Sequence, residues 1–464
     1  MFDLFQTLGE RPSGRAPAVA DFDCPVGTRK FHEGIGSLDL LRALRASRQQ
    51  RRPLSLAVHL PSRLRFATCS PLASACQCGE IDGYLQRLTY EMGLASCHLG
   101  AGRRVEQLCL TGGTPVIAHL QRLMNDLRKR FDFCEYDSGD HSIEVDLHHT
   151  DWSTMGLIRD QGFTQVSIGV PDIGSDRDLS VDCYKNPAPI QSLIDAARTF
   201  GFRSINIDLG YGHAWQTPHS FALKLASLIE LEPDRLHVFD YARAPYRYRS
   251  KNAAVAGAFC SDAIKDTLRR ICCEQLIGAG YHYIGLGQFV RADDDLAVAQ
   301  EHGRLHRDCR GFTRHGCCDH LGFGLSAITR IEHLYVQNTA ELPHYFQQLD
   351  AGQLPVSRGW RCEAADQVRS AVTEQLSCDL ELDIPAIEAR FALVFRDYFA
   401  TLWPTLEQLH AKGLIELSSR FIGILPAGRL SVDAICNLFD PDPHDNDLPA
   451  HGTFDPPLGQ VNPS

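Results

Sequence analysis

Thr111-Gly112-Gly113-Thr114-Pro115 follows an apolar run, "VEQLCL" (105–110), and precedes a helical pattern. Two glycines let a backbone approach a ligand closely, and Pro115 suits the first turn of a helix. The same string also serves as an ordinary strand–turn–helix joint. Two acidic residues, Glu144 in "IEVD" (143–146) and Asp208 in "INIDLGYG" (205–212), lie near the ends of later apolar runs. A carboxylate placed there can accept hydrogen bonds from ribose hydroxyls, cap the following helix or pair with an arginine. "HRDCRGFTRHGCCDH" (306–320) gathers His306, Cys309, His315, Cys317, Cys318 and His320. These are donors for zinc or haem, but adjacent Cys317 and Cys318 cannot easily chelate one ion, and no Cys-x2-Cys pair accompanies them. A loop with polar and thiol side chains is the plainer reading.

Three further stretches carry weaker signals. Adjacent His148 and His149 in "LHHTD" read as helix-entry residues rather than ligands. Cys24-Pro25 is a dipeptide that can supply an axial thiolate to haem and also arises in loops. "RAPYRYRSK" (243–251), with Arg291 and Arg307, could grip carboxylates of a ligand or remain a solvated loop.

These residues need elements to hold them. From about residue 54 to 290, strand-like and helix-like segments alternate. The strand candidates are "LSLAVHL" (54–60), "VEQLCL" (105–110), "SIEVDL" (142–147), "QVSIGV" (165–170), "SINIDL" (204–209), "RLHVFDY" (235–241) and "YHYIGLG" (281–287). Between them lie helical patterns such as "PVIAHLQRLMNDLRKRF". This alternation predicts parallel strands with crossover helices, hence a full or partial α/β barrel with its site at the C-terminal strand ends. The expected organisation is an N-terminal arm (1–50), the barrel (51–300), a connecting segment at the barrel mouth (301–362), a helix-rich, winged-helix-like domain (363–440) and a Pro- and Asp-rich disordered tail (441–464).

Net charge is −11 with scattered Lys and Arg, so a nucleic-acid partner is not expected. No apolar run reaches the length of a membrane span. Seventeen cysteines, with no export-signal layout at the N-terminus, point to free thiols in a reducing, cytoplasmic setting. Many of them read as small core residues, among them Cys109, Cys272 and Cys273. A monomer is expected.

The order of segments adds a resemblance. "VHLP" (58–61), "TGGTP", "IEVD", "VSIGV" (166–170), "INIDLGYG", "VFDYARAP" (238–245), "DDDLAVAQ" (293–300), "LHRDCRGFT" (305–313) and "LGFGLSAI" (321–328) occur in sequence. Over roughly residues 40–440 the chain resembles the oxygen-independent coproporphyrinogen III oxidase family of the radical S-adenosylmethionine (SAM) superfamily. The resemblance implies a radical-SAM-type partial (β/α) barrel with an N-terminal arm and a C-terminal helix-rich domain. It also implies a 4Fe-4S cluster held by Cys-x3-Cys-x2-Cys, SAM on the open iron, and a radical that begins decarboxylation of propionates to vinyls. The residues it places at the cofactor are Gly112, Gly113, Thr114, Glu144, Asp208, Ala242 and Ile328.

Several family features are missing from this chain. Counted from "VHLP", the three cluster positions fall on Arg63, Ala67 and Ser70, and none of these is a thiolate. Cys69, Cys76 and Cys78 lie nearby with the wrong spacing. The family's Tyr before the strand-end His is Ala57, and the aromatic residue of its cluster loop is Cys69. Its Gln after the Ile-Gly-Val run is Pro171, a SAM-contacting Arg is Cys183, and its Phe-Gln pair is Cys309-Arg310. The first glycine of its Gly-Gly-Gly-Thr-Pro loop is Thr111. The sequence therefore leads to the expectation of a family member in porphyrin and haem metabolism without radical chemistry, binding a tetrapyrrole (haem or porphyrin) or SAM, or acting as a regulator. The alternative is an active coproporphyrinogen III dehydrogenase using SAM and a 4Fe-4S cluster.

Overall fold

The computed structural model describes residues 30–60, 74–133, 139–147, 149–170, 187–241 and 259–440. Six strands pair in chain order, all parallel: β1 (Leu54–His59), β2 (Arg104–Thr111), β3 (Asp140–Asp146), β4 (Gln165–Val170), β5 (Ser204–Tyr211) and β6 (Arg235–Asp240). The crossovers run through helices α1 (Ser74–Leu99), α2 (Ile117–Arg130), α3 (Trp152–Asp160), α4 (Ala188–Thr199) and α5 (Pro218–Glu230).

Local sequence explains these elements. In β1, Leu54, Leu56 and Val58 are fully buried, while the alternate residues Ser55, Ala57 and His59 share the opposite face. In α2, Leu120, Leu123, Met124 and Leu127 form the buried stripe, and Arg128, Lys129 and Arg130 sit in the last turn, where cations suit the helix dipole. Helix α5 starts on Thr217, whose hydroxyl accepts from the Ser220 N–H, with Pro218 in the first helical position.

The barrel is partial. A seventh parallel strand, Asp319–Phe323, lies on the far side of β1. From it the sheet continues antiparallel through Ile328–Ile331, Leu334–Asn338 and Val356–Arg361. The segment 301–362, expected as a connection, thus supplies four strands to the main sheet. At the other edge, "YHYIGLG" is not a further parallel barrel strand. His282–Gly285 turns back through Leu286 and Gly287, both at positive φ, onto Gln288–Val290, which pairs antiparallel with β6. Two consecutive positive-φ residues make the tight hairpin turn that matches strand twist.

Residues 364–439 form a second body with its own apolar core, including Val372, Leu376, Leu406, Ile415, Ile422 and Ile435. Helices Ala364–Cys378, Ile384–Phe391, Trp403–Ala411 and Val432–Phe439 surround a small antiparallel sheet of Glu381–Asp383, Phe421–Ile424 and Ile415–Leu417. Asp433 fastens it to the barrel by accepting from the Tyr283 hydroxyl (2.9 Å) and the Leu286 N–H. The N-terminal arm adds Lys30, paired with Asp366 and Asp440, and a bridge between His32 and Gly359. No helix among the described residues is long and apolar enough to cross a membrane. The expected tail lies outside the described residues.

Candidate cofactor pocket

The lumen of the barrel is polar, because every second strand residue that would otherwise pack apolar faces it. Ser55 donates to Gln107 (2.9 Å) and meets the His320 Nδ1 (3.1 Å). One layer up, Ser167 stands beside Glu144 and Asn206 in register, and Asp208 beside Gly169 and His237. The Ser167 hydroxyl donates to Asp208 (2.9 Å), Asn206 donates to Ser167 (2.7 Å) and to Asp208 (3.0 Å), and the His237 Nδ1 lies 3.2 Å from Asp208. Gln288 from the edge hairpin reaches Asn206. Burial pushes the His320 imidazole down to about 3 and that of His59 to about 4, so both are neutral near pH 7.

At the C-terminal strand ends the structure gathers four of the residues singled out from sequence. Gly112 and Gly113 have φ of 114° and 87°, a backbone course that side chains disfavour. The Gly112 N–H donates to Glu144 on the neighbouring strand (3.3 Å). Thr114 is buried, and its hydroxyl accepts the Asp146 N–H (2.7 Å) and meets the Thr150 hydroxyl (2.6 Å). Asp208 lies two strands on. Ile328 stands on the opposite side, packed with Phe31, Cys309, Tyr335 and Trp360 in a small apolar cluster. Ala242 lies outside the described residues, as do Arg63, Ala67, Cys69, Ser70, Pro171, Cys183, Cys24, His148 and 243–251. Cys76 and Cys78 fall in the first turns of α1, their side chains outside the described residues.

The other candidates take different roles. His315 and Arg314 plug the N-terminal end of the barrel. Asp140 accepts from His315 Nε2 (2.8 Å), Arg314 (2.8 Å) and Arg203, and His315 Nδ1 faces Glu106 (3.0 Å). His306 lies 3.8 Å from Glu374. His149 pairs with Asp146 (3.2 Å), and Asp151 caps α3. Arg291 is exposed beside Asp293. Among the described residues no three His, Cys, Asp or Glu side chains are grouped to hold a metal ion. Cys272 is buried in the core, as expected, whereas Cys109 is only partly buried, on the lumen face between Ala57 and Ser142.

Sequence reasoning passed over Ser167, Asn206, His237 and Gln288. The signal was present: "SINIDL", "QVSIGV" and "RLHVFD" place polar residues at alternate positions in otherwise apolar runs, which marks a face turned to a hydrated lumen.

A partial parallel barrel with a polar lumen and a glycine-rich turn after its second strand is the architecture of the radical SAM class. The solved coproporphyrinogen III oxidase of Escherichia coli, described as a radical SAM enzyme, superposes with a TM-score of 0.78 at 35% identity, over 90% of this chain and 97% of that one. The oxygen-independent coproporphyrinogen III oxidase of Pseudomonas aeruginosa is 44% identical over 422 residues, covering 89% of this chain and 90% of that protein. The corresponding protein of Escherichia coli is 37% identical over the same span. The chain belongs to the oxygen-independent coproporphyrinogen III oxidase family of haem metabolism. No family model matches the sequence.

The chemistry of the donors decides whether the family's cofactors fit. At the positions that the resemblance assigns to the cluster, 63, 67 and 70, the chain offers a guanidinium, a methyl and a hydroxyl, which are poor ligands for iron, and no two of the seventeen cysteines stand three or four residues apart. The residues that the resemblance assigns to SAM are only partly placed to meet it: the backbone at Gly112 and Gly113 and the Glu144 carboxylate stand at the C-terminal strand ends, while Asp208 is engaged by Ser167, Asn206 and His237.

Proposed function

We propose that this chain binds a ligand of the haem pathway, SAM or a tetrapyrrole, in the barrel lumen without performing the radical step. One observation carries this reading: the three positions that would hold the cluster are Arg63, Ala67 and Ser70. One-electron cleavage of SAM belongs to the reduced cluster, and side chains do not substitute for it. The pocket residues that remain act through backbone and carboxylates, which suits binding.

A second reading is that the chain oxidises coproporphyrinogen III as its relatives' names state. The names themselves favour it, at 44% and 37% identity over nine-tenths of each protein. It requires cluster ligands from elsewhere in the chain, with Cys69, Cys76 and Cys78 nearest in sequence.

Anaerobic reconstitution separates the two. Wild-type chain is expected to take up no stoichiometric iron and sulfide and to leave SAM intact. The variant carrying Arg63→Cys, Ala67→Cys and Ser70→Cys is expected to take up about four irons per chain, the number in one cubane. A cubane in the wild-type chain together with SAM cleavage establishes the second reading. A Soret shift on adding haem to the cluster-free chain supports tetrapyrrole binding.

A further inference from the structure

Asp433 stands in the first turn of helix Val432–Phe439, in the second body. Its two oxygens both meet the Leu286 N–H (3.0 and 3.3 Å), and it accepts the Tyr283 hydroxyl (2.9 Å). The Tyr283 oxygen in turn accepts the Gly287 N–H (3.3 Å). Leu286 has φ 51°, the left-handed region that a leucine disfavours. Asp433 therefore grips the backbone at the strained residue of the turn. Gly287 follows at φ 74° and lies so close to β6 that a Cβ on it would overlap the Val238 carbonyl oxygen. Its own carbonyl accepts the Val238 N–H (2.8 Å).

The next residue, Gln288, reaches into the lumen. Its side-chain amide donates to the Asn206 side-chain oxygen (3.3 Å) and to the Leu236 carbonyl (3.4 Å). With its oxygen engaged there, the Asn206 amide turns its N–H groups to Ser167 (2.7 Å) and Asp208 (3.0 Å). Contacts thus run from Asp433 through the Leu286–Gln288 turn and Asn206 to the polar network that lines the lumen.

We propose that Asp433 is a positioning residue for the barrel pocket: by holding the Leu286–Gln288 turn in its strained course, it keeps Gln288 on Asn206 and so fixes the arrangement of Asn206, Ser167 and Asp208. This regulation of the pocket rests on the ligand-binding reading given above, but the relay itself exists without a ligand.

The physical basis is strain and tight packing. A non-glycine residue at positive φ persists only where its surroundings hold it. Without Asp433, Leu286 relaxes toward a favoured course. Gly287 is pressed against β6, so the relaxation is passed on to Gln288. The two bonds that Gln288 donates are at the long end of the hydrogen-bond range, and a small shift of the turn breaks them. The Asn206 amide then loses the donor that fixes its orientation. Such coupling is reciprocal, so a ligand that fixes the lumen network tightens the clasp on the second body.

Nuclear magnetic resonance of the ligand-free full chain, isotopically labelled at asparagine, tests the relay. Gln288→Ala defines the released position of the Asn206 side-chain amide resonance. In Asp433→Ala that resonance is expected to move most of the way from its wild-type to its released position. In Ile435→Val, which trims a buried methyl group from the same helix and leaves the clasp intact, it is expected to stay. Tyr283→Phe keeps the ring packed on Phe289 and removes the hydroxyl between Asp433 and Gly287. It is expected to move the resonance in the same direction, and it carries the test if Asp433→Ala does not fold. An unmoved resonance in these two variants, or an equal move in Ile435→Val, overturns the proposal. Titrated with SAM and with haem, whichever the wild-type chain binds is expected to bind Asp433→Ala about fivefold more weakly, the worth of one neutral hydrogen bond. Unchanged affinity overturns the regulation of the pocket. A wild-type chain that binds neither, with the resonance moving as expected, counts against the pocket reading and leaves the relay standing.

Discussion

Asp140 and Glu144 share one strand and one face, four residues apart, and their surroundings differ in kind. Asp140, at the N-terminal end of the barrel, is locked by Arg203, Arg314 and His315. Burial alone would raise its carboxyl, but the bonds from His315 and Arg314 and the charges of Arg314 and Arg203 hold it well below the usual carboxylate range. Glu144, at the C-terminal end, is half-buried and accepts the N–H of Gly112 from a turn that only glycine adopts easily. One end spends its charge on holding the fold together. The other carries a carboxylate and a glycine turn at the C-terminal strand ends, which is where barrels of this kind keep their sites.

Breaking the closed end gives the largest effect. Asp140→Asn leaves two guanidinium groups and the His315 ring facing a neutral amide, and stability is expected to drop by about 3 kcal/mol. This is the low end of the range for broken buried pairs, because Arg203 and Arg314 are about a third exposed. Denaturant midpoints at constant slope measure it. The same network predicts a pH window. The lowered carboxyl contributes stability above its ordinary value of 3.8, lost as pH falls below that. His315, raised chiefly by its bond to Asp140 and opposed by burial, contributes below 6.5, lost as pH rises through its raised value. The wild-type chain should thus be firmest between about pH 4 and pH 6.5, and Asp140→Asn should flatten that maximum.

The open end should respond in binding and not in stability. Glu144→Gln is expected to weaken SAM binding about tenfold, the cost of one charge-assisted hydrogen bond. Titration calorimetry on the cluster-free chain reads the affinity. Thermal midpoints within a degree or two of wild type would sharpen the contrast with Asp140, whereas a large loss of stability with unchanged affinity would erase it.

The two ends also differed in how far they could be read from sequence. The alternation of apolar runs with helical patterns placed β1 to β6 within a residue or two of where they stand, because each parallel strand and its crossover helix leave a local mark. The glycine turn at 112–113 was legible for the same reason, since turn chemistry is local. The plug was not, because nothing near Asp140 in sequence points to Arg314 or His315, which lie 174 and 175 residues away. "HRDCRGFTRHGCCDH" looked like metal donors because composition alone cannot say which neighbours three-dimensional packing supplies. The strand at Asp319–Phe323 and the edge hairpin at 282–290 were missed because a short apolar run does not disclose its partner or its direction.

Thr114→Val is the mildest change and the finest probe of the open end. Valine matches threonine in shape, so packing is kept while the acceptor for the Asp146 N–H and the contact to Thr150 are both lost. The cost to stability is expected to be about 1 kcal/mol, the worth of a partly buried neutral bond. Affinity should fall with it, because the hydroxyl fixes the turn that carries Gly112 and Gly113 against the end of β3. If affinity is unchanged while stability falls, the hydroxyl merely staples two loops. If affinity falls further than stability, the turn is held in shape for its ligand, and the open end of the barrel is pre-organised as well as accessible.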